Sequence, residues 1–284
     1  MIALEVKDLN KKYEDFSLQD VSFQLEQGYI MGFIGANGAG KTTTIKSILN
    51  MLHLESGEVH IMGKNMREHE FELKQDIGFA FGDIDFYSRS KIKTLTNVLK
   101  KFYINWDEKT YYNYMDKFKL NEEKKVIDLS TGMKVKYNLA LALSHGAKIL
   151  ILDEPTSGLD PVARDELLDI FQELVEDGDI SILFSTHITS DLEKCADFIT
   201  FIKDGKIIKS SEKEDFVASY RLLNGNEDQL NEVKEKMISY KINSFGFTGL
   251  IHSSAFDTSL GINATTPSLE EIMVYFAREE SLNV

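Results

Sequence analysis

A glycine-rich stretch constrains this chain's fold more than any other feature. Gly35, Ala36, Asn37, Gly38, Ala39, Gly40, Lys41, Thr42 and Thr43 follow a short apolar run at 29–34. They precede a segment, 41–52, in which Ile45, Ile48, Leu49 and Leu52 fall on one helical face. The order is strand, loop, helix, and the loop matches G-x-x-x-x-G-K-[ST]. The glycines let the backbone turn its N–H groups inward as a nest for phosphate oxygens. The following helix points its positive end at them. Lys41 then reaches the β- and γ-phosphates, and Thr42 offers a hydroxyl to Mg2+. A glycine turn ahead of an ordinary helix would need neither side chain.

A second motif completes the chemistry. Ile149, Leu150, Ile151 and Leu152 lead into Asp153 and Glu154. An apolar strand ending in two acids places both carboxylates at a sheet's C-terminal edge. Asp153 is expected to bind Mg2+, and Glu154 to act as the base that polarises an attacking water. Residues 148–152 and 180–184 read as buried parallel strands. Leu167, Leu168, Phe171 and Leu174 mark an amphipathic helix between them. Strands bridged in this way predict an α/β fold with a parallel sheet covered on both faces. Further strands are expected at 2–6, 21–25, 58–62 and 77–81, with a hairpin at 198–209.

From about 90 to 147 the pattern is helical, as an insert in the α/β domain. Trp106 and the tyrosines at 103, 111, 112 and 114 fit either its surface or its core. In the tail, 224–228 is polar and reads as a linker. Residues 237–242 and 247–252 read as strands, and 268–276 as a helix capped by Ser268 with Glu270 and Glu271 in its first turn. The expected division is a phosphate-binding α/β domain at 1–215 and a small C-terminal accessory region at 216–284.

Composition narrows the partners. The net charge of -14 opposes broad binding to nucleic acid or anionic lipid. The single cysteine, Cys195, excludes a disulfide scaffold within one chain and is read as an inert small residue. The six histidines show no metal-ligand spacing. No run approaches the roughly 18 apolar residues of a membrane helix, so membrane association is expected to go through another protein.

Leu129, Ser130, Thr131, Gly132 and Met133 add a further pattern. Ser130 is expected to cap a helix whose N-terminus can hold an anion. With the two motifs above, this stretch resembles the signature motif of ABC transporter ATPase subunits, Thr131 and Met133 departing from its commonest form. The resemblance covers about 2–215 and implies a P-loop NTPase fold of the ABC ATPase type, with a helical subdomain and a small C-terminal extension. It implies ATP and Mg2+ as ligands, and a head-to-tail dimer in which Ser130 and Gly132 of one subunit meet the γ-phosphate on the other. Ser157, Gly158, Leu159 and Asp160 resemble the family's interface loop. His187 resembles the switch histidine, and Tyr13 the aromatic that stacks on adenine.

One family element departs. The glutamine that usually follows the strand at 77–81 is replaced by Gly82, followed by Asp83. Either Asp83 substitutes for it as a metal-side carboxylate or water fills the gap, and modest turnover is expected. Phe81, Phe86 and Tyr87 either form a groove for a membrane partner or fill the seam beside the helical insert.

The implied function is to power a membrane exporter. The implied partners are an integral membrane permease subunit and a second ATPase subunit, identical or related; the implied location is the cytoplasmic face of the cell membrane, peripheral through the permease. A looser resemblance links 264–274 to exporter ATPases encoded apart from their permease. Two alternatives stand beside this reading: a soluble ABC ATPase acting on translation or DNA, and a non-catalytic, ATP-gated regulatory subunit. Lys41, Asp153, Glu154 and His187 argue against the last.

Overall fold

Period-two alternation divides the central strands between two hydrophobic cores. The structure, a computed structural model, describes residues 1–81, 89–244 and 246–282. The chain begins with β1 (Ile2–Lys12), β2 (Ser17–Glu26), β3 (Ile30–Ile34), α1 (Lys41–Ile48), β4 (Ser56–Ile61), β5 (Lys64–Asn65), α2 (Glu70–Leu73) and β6 (Ile77–Phe81). Next come α3 (Ile92–Leu99), α4 (Glu108–Lys117) and α5 (Thr131–Ser144). They lead into β7 (Ile149–Asp153), α6 (Pro161–Val175), β8 (Ser181–Thr186), α7 (Thr189–Cys195), β9 (Phe198–Lys203), β10 (Lys206–Glu212) and α8 (Lys213–Ala218). The C-terminal part holds β11 (Tyr220–Gly225), α9 (Glu227–Val233), β12 (Met237–Asn243), β13 (Gly246–His252), β14 (Asn263–Thr265) and α10 (Leu269–Leu282).

The central sheet has the order β10-β9-β3-β8-β7-β6, and its strands β9 to β6 run parallel. On one face, Ile30, Ile34, Leu150, Leu152, Ile182 and Phe184 meet Leu139, Leu167, Phe171 and Leu192 of α5, α6 and α7. On the other, Met31, Phe33, Ile149, Ile151 and Leu183 meet Ile45 and Ile48 of α1 and the antiparallel sheet β2-β1-β4-β5. Each such side chain contributes roughly 1.5–3 kcal/mol by leaving water. Parallel strands end together, so β3, β7 and β8 deliver their following loops to one edge.

Several expectations are corrected. β1 continues to Lys12 because a register shift after Val6 returns Leu9 to the core, with Asp8 in a left-handed conformation at φ 47°. α1 stops at Ile48 rather than continuing to 52. Asn50 adopts φ 55°, and the N–H groups of Asn50 and Met51 donate to the carbonyls of Ser47 and Lys46. This is a Schellman stop, which asparagine tolerates without glycine. Residues 224–228 are not a linker. β11 runs to Gly225, and Asn226 then caps α9 in a reciprocal box with Gln229. The polar residues there are cap signals rather than chain slack.

The strands near 237 and 247 form as expected, and Ser268 caps α10, its hydroxyl accepting from the Glu271 N–H at 3.1 Å. α10 inserts Phe276 edge-on against Phe201 of the central sheet, and its Leu269, Ile272 and Tyr275 join the core under α7. In the helical insert, Tyr111 is fully buried, Tyr112 is exposed and Trp106 packs half-buried on the core.

His145, just past α5, stacks on Tyr103 at 3.8 Å and shares a 2.9 Å hydrogen bond between Nδ1 and the Gln75 carbonyl. Burial holds its pKa below the ordinary 6.5, against the pull of that carbonyl. The unfolded chain therefore takes up a proton before the native state does. Stability from this site is full above about pH 6.5 and is lost as pH falls from there towards the lowered native value. Urea titrations at pH 7.5 and 5.5 should show a larger acid loss in the wild type than in His145→Phe. Equal losses would assign the acid sensitivity to other groups.

Candidate active site

Asp153 ends β7 opposite Ser185 of β8. The Ser185 hydroxyl donates to Asp153 Oδ1 at 2.5 Å and accepts from the Glu154 N–H at 3.0 Å. That pairing fixes the acid pair at the strand end. The other Asp153 oxygen, Oδ2, accepts from Thr42 Oγ1 at 2.7 Å, which joins β7 to the first turn of α1. One carboxylate oxygen and one hydroxyl thus converge where a hard cation would sit, and this donor set fits Mg2+.

The loop before α1 does what its glycines allow. Gly40 has φ 111°, and a Cβ there would come within 2.8 Å of Phe16 and Leu18. Lys41 is nearly buried. Its ammonium donates to the carbonyls of Gly35 at 2.8 Å and Ala36 at 3.3 Å, and lies 3.2 Å from Glu154 Oε1. Glu154 itself stands at φ 51°, a left-handed conformation that a non-glycine residue holds at a cost of about 1–3 kcal/mol. The turn brings its second oxygen 2.9 Å from His187 Nδ1. Asn37, Gly38, Gly40, Lys41, Thr42, Thr43, Glu154, Ser157, His187 and Phe16 line a cavity of about 400 Å³.

The remaining expected residues lie elsewhere. Ala36 and Ala39 line a cavity on the loop's other side, with Asn37 and Gly38 shared between both; Gly35 lines neither and packs against Ile202. Tyr13 occupies the turn between β1 and β2, where its N–H donates to the Phe16 carbonyl at 2.7 Å; its ring is half-exposed beside Lys11. Phe16, not Tyr13, lines the described cavity. Ser130 caps α5, accepting from the Met133 N–H at 3.3 Å. It is exposed, and neither it nor Gly132 lines this cavity. Asp160 caps α6, accepting from the N–H groups of Val162 and Ala163 at 3.0 Å each. Leu159 and Ala163 border Gly132, so the α5 N-terminus abuts that turn. Gly82, Asp83, Phe86, Tyr87 and the Phe81 side chain lie outside what the structure describes.

Sequence reasoning missed Ser185 and Phe16. Ser185 carried a faint signal, as a hydroxyl in a buried strand two residues before His187. Phe16 carried none. Cys195 is buried and its thiol is pushed up to about 12 by burial, in keeping with an inert role.

Similarity to known proteins agrees with this geometry. Residues 18–157 match the family described as ABC transporter. The chain is 32% identical over 219 residues to the ABC transporter ATP-binding protein YtrB of Bacillus subtilis, covering 76% of this chain and 74% of that one. It is 32% identical over 209 residues to the bacitracin transport ATP-binding protein BcrA of Bacillus licheniformis, covering 72% and 68%. A solved ATP-binding subunit of an ABC transporter superposes with a TM-score of 0.68 at 28% identity, covering 75% of this chain and 91% of that chain. The chain belongs to the ABC transporter family of ATP-binding proteins.

Proposed function

We propose that this chain hydrolyses ATP as one subunit of a head-to-tail dimer and thereby drives a membrane exporter. The observation that carries this reading is the cavity in which Lys41, the Thr42–Asp153 pair and the Glu154–His187 pair converge. Ser130, by contrast, presents a helix N-terminus to solvent.

In this reading the phosphates lie along residues 35–43, with the γ-phosphate at Lys41. The adenine stacks on Tyr13, over Phe16. When bound between Thr42 and Asp153, Mg2+ would offset charge on the β- and γ-phosphates. Glu154 accepts the proton of the attacking water, and His187 holds Glu154 in place through Oε2. The partner's α5 N-terminus, with Ser130 and Gly132, closes over the γ-phosphate and aims backbone N–H groups at the developing charge. Asp160 stiffens the turn at the subunit interface. Asp83 remains the proposed substitute for the absent loop glutamine.

Residues 1–215 form the ATPase unit in this proposal, with a helical subdomain at about 90–147, and 216–284 are an accessory region. Among the described residues no helix is long and apolar enough to cross a membrane. In this reading a separate permease is the membrane component, and the chain sits on its cytoplasmic face. Phe79 on β6 and Val98 on α3, the elements that flank 82–88, are exposed, as are Phe71 on α2 and Phe102 and Ile104 beyond α3; an apolar coupling segment would dock on these side chains. The bacitracin-transport relative supports a role in transport over the alternative readings.

Pairing is tested with Ser130→Glu on a Glu154→Gln background. A carboxylate facing the partner's γ-phosphate should abolish the MgATP-dependent dimer in gel filtration, because such like-charge contact costs several kcal/mol. ATP binding to the single subunit should stay within about threefold of its starting value. A dimer of undiminished strength would remove Ser130 from the interface.

A further inference from the structure

Asp191, near the start of α7, is a carboxylate sealed inside the protein, 1% exposed. It stands where three elements meet. Four residues before it is His187. Across from it is Thr156, fully buried in the loop between Glu154 and α6. On its third side is Arg164 in the first turn of α6, one turn beyond the cap Asp160, whose carbonyl accepts the Arg164 N–H at 3.0 Å.

These groups are close but poorly joined. Arg164 Nε is 3.9 Å from Asp191 Oδ1. Among the described residues, Asp191 Oδ2, Thr156 Oγ1 and Arg164 Nε are all buried without a hydrogen-bond partner. Buried polar atoms left unpaired carry a desolvation penalty, so three in one contact need a reason. Burial raises the Asp191 carboxyl above its usual range, with Thr156 and Arg164 pulling the other way; the charges of His187 and Glu154 reach it as well. A small shift of the 154–160 loop towards α7 would let the Thr156 hydroxyl donate to Oδ2 and the guanidinium close on Oδ1. The observed arrangement is the looser one, and such a shift would give a tighter arrangement of the same atoms.

We infer that Asp191 is a positioning residue that ties the Thr156–Asp160 loop to His187, so that movement of this loop at a subunit contact sets the geometry of the Glu154–His187 pair. The inference rests on the proposed hydrolytic function. Asp191 is buried and does not line the cavity that holds Lys41, Glu154 and His187. It acts through α7, which starts two residues after His187, and through Arg164 in the first turn of α6, the helix that Asp160 caps. The contact biases His187 only because its two arrangements differ in free energy.

The test uses the full chain with MgATP. Asp191→Asn keeps the shape and removes the charge; Thr156→Val keeps the volume and removes the hydroxyl. Each should lower kcat by about tenfold or more through misplacement of the pair. ATP affinity, measured by equilibrium binding, should stay within about twofold. The double variant should fall no further than either single one, as expected of groups acting in one contact. Asp191→Glu, which restores the charge, should recover part of the rate. Two results would overturn the inference: unchanged kcat in both variants, or a parallel fall of kcat, affinity and melting temperature, which marks a merely structural contact. Glu154→Gln run alongside separates the two levels. If that variant also turns over ATP normally, the hydrolytic reading itself fails; if it is inactive while Asp191→Asn is normal, only the present inference does.

Discussion

Glu154→Gln is expected to cut steady-state ATP turnover by about 10²–10³-fold while leaving ATP bound, the range set by losing a positioned general base. The substitution is close to isosteric, and it keeps the left-handed turn at φ 51° and the N–H donated to Ser185. It removes the carboxylate proposed to take the proton of the attacking water. An amide cannot accept a proton from water at neutral pH, whereas the carboxylate sits between an ammonium at 3.2 Å and an imidazole at 2.9 Å. Lys41 loses a charged neighbour but keeps both carbonyl partners, so the phosphate loop should hold its form. The variant should therefore accumulate as an ATP-loaded dimer, visible as a MgATP-dependent shift in gel filtration with nucleotide recovered intact from the dimer peak. Turnover above a tenth of the wild-type rate would exclude Glu154 as the base. Normal loss of turnover without the dimer would separate hydrolysis from pairing.

Legibility in the sequence followed contiguity. The phosphate loop, the acid pair and His187 each sit at a strand end, inside a local string whose residue types have one combined use. The parallel sheet then supplied what the strings could not, since β3, β7 and β8 bring these ends to one edge. Contacts that depend on register between distant strands were not readable. Ser185 matters because it faces Asp153 across two strands, 32 residues away. Phe16 reaches Gly40 from the hairpin of another sheet. Asp191 looks like any acid in a helical first turn until Thr156 and Arg164 are folded around it. Local chemistry also misled in two places. Apolar periodicity suggested a helix to residue 52, but the asparagine stop at 50 outweighed it. Polar residues at 224–228 suggested slack, but asparagine and glutamine three apart spell a cap. The final helix shows the reverse case. Its cap was readable from Ser268, while its docking of Phe276 on Phe201 was not.

Lys41→Ala is expected to weaken ATP binding by at least about 10²-fold, or ~3 kcal/mol, the scale for removing one charge-assisted partner from a desolvated site. The ammonium is placed before any ligand arrives. It is nearly buried, anchored by two loop carbonyls, and held at the mouth of the nest that the glycine backbone forms. Little side-chain entropy remains to be lost on binding, so most of its attraction for phosphate appears as affinity. Alanine removes that charge and leaves Glu154 as the dominant charge at the same point, where a carboxylate repels the γ-phosphate. The two losses act in the same direction. Lys41→Arg should not rescue binding, because a planar guanidinium cannot occupy the space between the Gly35 carbonyl and Glu154 as a compact ammonium does. Equilibrium binding of a fluorescent ATP analogue to the three proteins gives the comparison. Adding Glu154→Gln to Lys41→Ala supplies the internal control: if repulsion by the uncompensated carboxylate is part of the loss, the double variant binds more tightly than Lys41→Ala alone. Equal binding by both would place the whole effect in the lysine's own contact with phosphate, and wild-type affinity in Lys41→Ala would move the phosphate site away from residues 35–43.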